Sequence, residues 1–111
     1  MNNWEPNNPP TEADHMHAAG LFGADLDRAT AALDKLEERG ADRVKSRKFL
    51  GRVASSNILA GQDVVTMRDQ GFEVDVALSV LPKYAGVDVW ELIREGRVPF
   101  WDVVEAIEVA A

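Results

Sequence analysis

FEVDVALSVL, from Phe72 to Leu81, can be read two ways, and the two give different folds. Phe72, Val74, Val76, Leu78 and Val80 alternate with Glu73, Asp75, Ala77 and Ser79, which is the period of a half-buried strand. Val74, Ala77, Leu78 and Leu81 also share one face of a helix. No second strand of comparable strength exists to pair with it, and a lone strand would leave its backbone edges open. Helix is therefore the preferred reading, with Pro82 ending the element either way.

The segments on both sides are helical. Downstream, Asp88 can cap a helix with Glu91 three residues on, and Gly96 can stop it. Val89, Leu92 and Ile93 form its apolar stripe. Pro99 suits a first turn, and Phe100, Val103, Val104 and Ile107 repeat as a buried helix face. The short Gly96–Val98 loop predicts that these two helices form a compact hairpin.

Upstream, Asp63 caps a short helix over Val64–Gln70, between Gly61 and Gly71. Asp42 caps a helix reaching about Ser56, with Phe49, Leu50 and Val53 on its apolar side and Gly51 weakening its middle. Asp25 is the expected cap for the clearest helix, in which Leu26, Ala29, Leu33 and Leu36 repeat until Gly40. Leu21 and Phe22 are placed to pack on its first turn. Thr11 caps a short helix ending near Gly20. The expected fold is thus all-α, a compact bundle of five or six short helices. Residues 11–111 form a single helical domain, and residues 1–10 an extended, flexible arm.

That arm holds four asparagines and three prolines and cannot bury enough surface to order itself. Its one adhesive residue, Trp4, could fold back on the domain or reach a neighbour. The N-terminal stretch has neither the basic start nor the apolar core of a signal peptide, and no apolar run approaches membrane-spanning length. The absence of cysteine fits a reducing cytoplasm, the expected location.

The net charge of −7 is unevenly spread. Residues 1–40 carry 3 basic and 8 acidic groups, residues 41–52 carry 5 and 1, and residues 53–111 carry 4 and 10. One basic island therefore lies between acidic flanks. Lys45, Lys48 and Arg52 form a ridge along it, beside Arg43 and Arg47. It could face the chain's own acids, an acidic partner, an acidic face of a second copy, or phosphates. Nucleic acid is the weaker candidate because the domain is acidic overall. A helix-turn-helix over Asp42–Gly71 would read DNA with Arg68 alone.

Catalysis finds no footing in these residues. The only histidines, His15 and His17, sit two apart on the first helix, where their side chains diverge and cannot share a metal ion. No nucleophile elbow, phosphate loop or dinucleotide fingerprint occurs. We therefore expect no enzyme, no cofactor and no metal. What stands out is Trp90 and Trp101, each off its helix's apolar stripe. Trp90 lines up with Arg94, and Trp101 with Glu105 and Glu108. Together with Tyr84 they either finish the core or anchor a partner, as interface aromatics do. The expected function is protein binding by a small acidic regulator of the bacterial or phage type, an inhibitor or antiactivator. Its candidate partner-binding residues are Trp90, Trp101, Tyr84, Arg94, Glu105, Arg43, Lys45, Lys48 and Arg52. A homodimer, and a structural role in a larger assembly through the Trp4 arm, are the alternatives.

Overall fold

A computed structural model describes residues 9–110. They form α1 (Glu12–Ala18), α2 (Gly23–Glu38), α3 (Arg43–Ser56), α4 (Gly61–Asp69), α5 (Val74–Ser79), a 3-10 turn (Pro82–Tyr84), α6 (Val89–Arg94) and α7 (Phe100–Ala110). The all-α reading holds, with seven α-helices among the described residues, one or two more than expected. Most of the arm, Trp4 included, lies outside the described residues. No helix among them is long and apolar enough to cross a membrane.

The ambiguous stretch is helical, and Val74, Ala77, Leu78 and Leu81 are its buried residues. Phe72 is also buried, by a different device. After α4 the chain turns through Gly71 at φ +88°, which a residue with a Cβ adopts only under strain. The Phe72 amide then bonds back to the Met67 carbonyl at 2.9 Å. This closure delivers an apolar side chain to the core just past the helix end. The same bond recurs from Leu21 to Met16 and from Ala41 to Leu36.

Thr11, Asp42 and Asp88 cap their helices as read, each accepting a backbone N–H three residues on. Asp25 does not. α2 begins three residues earlier than that cap would set, at Gly23, with Phe22 preceding it. Leu21 takes the buried position after α1, which turns Phe22 outward, 60% exposed and stacked on His17 at 4.9 Å. α4 likewise starts before its expected cap: Gly61 opens it, and Asp63 lies inside the first turn.

The expected α6–α7 hairpin does not form. α7 packs on α5, α2 and α3, while α6 packs on α4 and α5. The loops explain this. The Leu59 amide bonds the Val98 carbonyl at 3.0 Å, and Asn57 Oδ1 accepts the Phe100 amide at 3.0 Å. The loop before α7 is thereby stitched to the loop after α3, and α7 enters the centre of the bundle. Its Phe100, Val103, Val104, Ala106 and Ile107 are buried there, facing Leu33 and Leu36 of α2 and Phe49, Leu50 and Val53 of α3 across one continuous core.

Gly51 sits in the interior of α3, where a Cβ would meet only the Ala19 Cβ at 4.0 Å, an ordinary contact. Glycine costs about 1 kcal/mol relative to alanine at such a position. Gly51→Ala is therefore expected to raise the melting temperature by a few degrees in thermal circular dichroism. A lowered melting temperature would show that α1 cannot yield at this point.

Candidate interaction surfaces

Both off-stripe tryptophans are partly buried and engaged within the fold. Trp90 on α6 lies over the start of α4, where a Cβ on Gly61 would be 3.5 Å from the ring. Its Nε1–H donates to Asp75 Oδ2 on α5 at 3.2 Å. The same oxygen accepts from Arg68 at 3.1 Å, so Asp75 joins α4, α5 and α6. Trp101 meets Phe100 edge to face at 4.8 Å. Arg28 stands 5.1 Å over its ring, held there by two bonds to Glu108 at 2.8 and 2.9 Å. That pairing draws Glu108 below its usual carboxylate range, chiefly through the hydrogen bonding from Arg28.

Tyr84 is 5% exposed and offers little to a partner. Its hydroxyl donates to Asp102 Oδ2 at 2.6 Å, and Lys83 donates to the other carboxylate oxygen at 3.0 Å. Burial, followed by the hydrogen bond to Asp102, pushes the phenol's ionisation well above its usual range. Arg94 is exposed and pairs with Glu91 one turn away, an exposed pair of small energetic value. Glu105 is partly buried on α7.

The basic island divides into two kinds of residue. Arg43 is occupied internally, pairing with Glu12 of α1 at 2.7 Å and with Asp34 and Glu37 of α2 at 2.8 and 2.9 Å. These bonds, the one to Glu12 foremost, lock the guanidinium in its charged form and hold Glu12 below its usual range. Arg52 reaches the buried carboxylate of Asp63 at 2.6 and 2.9 Å. Lys45 and Lys48 are exposed, with no ion pair among the described residues. Of the nine candidates, Tyr84 and Arg43 are thus structural, and Trp90, Trp101 and Arg52 are bound up in internal contacts. Arg94, Glu105, Lys45 and Lys48 face outward to differing degrees.

A surface the sequence reading passed over lies beside α5. Val76 and Val80 are 52% and 61% exposed, one helical turn apart, on the face of α5 opposite its buried one. With Phe72 and Ala77 they line a groove of about 420 Å³, rimmed by Arg39 and Arg68. Arg39 stands 5.2 Å over the Phe72 ring and donates to the Ala110 carbonyl at 2.7 Å. The signal was present in the sequence. Val76 and Val80 are what made the stretch alternate like a strand, and on a helix they become an apolar outer face.

His15 and His17 diverge as expected, His17 towards Phe22 and His15 towards α3. Among the described residues no three His, Asp or Glu side chains converge to hold a metal ion. In comparison with known proteins, no family model, no curated protein and no solved structure matches the chain.

Proposed function

We propose that this chain works without catalysis, as a small acidic regulator of the bacterial or phage type that inhibits another protein by binding it. The partner seats in the α5 groove. The observation that carries this reading is the exposed pair Val76 and Val80 above the buried Phe72. Apolar surface left in water is stabilised by about 25 cal/mol per Å² when a partner covers it. A concave apolar strip along a helix suits the apolar ridge of a partner's helix. Arg39 and Arg68 on the rim favour acidic residues flanking that ridge.

The test is capture from a lysate of the source cells by the immobilised wild-type chain and by a Val76→Asp/Val80→Asp variant. Both positions are exposed, so helicity should be kept. We expect a specific protein to be retained by the wild type and at least about tenfold less by the variant, as removal of hot-spot contacts produces. Equal capture by both would place the working surface elsewhere. Sedimentation of the same pair separates a foreign partner from a second copy. A dimer that the variant abolishes would make the groove a homodimer interface.

A further inference from the structure

The chain has twelve lysines and arginines against nineteen acidic residues. Nine of the twelve hold a carboxylate or carbonyl oxygen: Arg28, Arg43, Arg52, Arg68, Lys83, Arg94 and Arg97 in ion pairs, Lys35 and Arg39 on backbone carbonyls. The other three, Lys45, Arg47 and Lys48, have no such partner among the described residues. They lie within four positions on one helix. In a protein with an excess of acid, this leaves one local cluster of cations without an ion pair, although Arg47 lies near enough to Glu12 to help hold its carboxyl below the usual range.

Arg47 and Lys48 also line a concave surface. With His15 of α1 and Arg52 and Ser55 of α3 they border a groove of about 460 Å³ between the two helices. Its floor is small, with Ala19 against Gly51, so an incoming chain can approach the backbone closely. Arg52 gives part of its guanidinium to Asp63, yet its side chain remains about half exposed.

We infer that the α1–α3 groove binds an acidic peptide segment, a run of Asp and Glu side chains on a partner protein. The recognition is charge complementarity within a groove wide enough for a few side chains. Duplex nucleic acid fits less well. A rigid rod of phosphates would press beyond the groove onto Glu12, Asp34 and Glu37, which ring Arg43 at the start of α3, one turn before Arg47. A short flexible acidic segment can stay between the cations. This site is separate from the α5 groove and does not rest on it.

The probe is a fluorescein-labelled ten-residue oligoglutamate, titrated by anisotropy at low salt against the full chain. Saturable binding is expected, with amide shifts in ¹H–¹⁵N spectra centred on Ala18, Ala19, Gly51 and Ser55. Arg47→Ala/Lys48→Ala should weaken it about tenfold or more, because both cations line the groove, and should keep the fold, because neither supports an internal ion pair. Lys83→Ala/Arg97→Ala removes the same charge from two exposed positions outside the groove, and should leave binding nearly unchanged. Equal weakening by the two double variants, or shifts spread over the whole surface, would reduce the effect to net charge and overturn the proposal. So would the absence of saturable binding, or tighter binding of single-stranded DNA of equal charge.

Discussion

Trp90→Ala is expected to lower stability by about 3 kcal/mol, a drop in melting temperature of about 10–15 °C. The ring covers the opening turn of α4 at Gly61, and its indole N–H is one of two donors to Asp75 Oδ2. Truncation removes the packing and loosens α6 from both α4 and α5. It also strips a donor from a carboxylate whose other oxygen, Oδ1, is buried without a hydrogen-bond partner. Trp90→Phe should recover most of the packing and lose the hydrogen bond, leaving a deficit of about 1 kcal/mol. Trp101→Ala should cost less, about 1.5 kcal/mol, because one side of that ring is covered by the half-exposed Arg28. Thermal and urea denaturation of the three variants checks the order. Unchanged melting of Trp90→Ala would return that residue to a role as a partner's anchor.

Asp102→Ala should be comparably severe, again about 3 kcal/mol. The residue is buried at the start of α7 and serves two donors, but the donors differ. Lys83 is more than half exposed and returns to water when its partner is lost. The Tyr84 hydroxyl is buried and would be left unpaired. Most of the loss should therefore follow the tyrosine. Asp102→Asn keeps an acceptor for it and should cost about 1 kcal/mol, the worth of an exposed ion pair together with a weaker hydrogen bond. A double-mutant cycle with Tyr84→Phe isolates the Asp102–Tyr84 coupling. The same pair sets a limit at high pH. Folding raises the Tyr84 ionisation above its reference of 10.0, so the folded chain keeps a proton that the unfolded chain gives up. Stability is full below about pH 10 and falls as pH rises beyond it, and Tyr84→Phe should remove that part of the fall. Equal losses in Asp102→Ala and Asp102→Asn would show that the ion pair, and not the tyrosine, carries the energy.

The legible parts of the sequence were those set by neighbours along the chain. The apolar stripes of α2, α3 and α7 are governed by the helical period, and the caps at Thr11, Asp42 and Asp88 by a bond spanning three residues. Such bonds form largely regardless of what packs around them. Asp25 failed as a cap because Leu21, closing α1, allowed the next helix to start earlier. The candidate site was less legible. Exposure and pairing depend on residues distant in sequence. Arg43 looked like one of five equivalent cations until Glu12, 31 residues away, met it.

The sequence alone determined that this chain is a helical bundle, that an acidic chain carries one net-positive island on α3, and that Phe72–Leu81 is apolar on two faces. Composition, period and local capping are enough for each. Only the tertiary structure decided where α7 goes. Bonds from Asn57 and Leu59 to the loop before it turn the expected hairpin into a central helix. That placement gave α5 its buried side against α7, and left Val76 and Val80 facing out. It also seated Asp102 on Tyr84. Helical period tells which residues lie on one face, but only packing between segments far apart in the chain tells which face meets water.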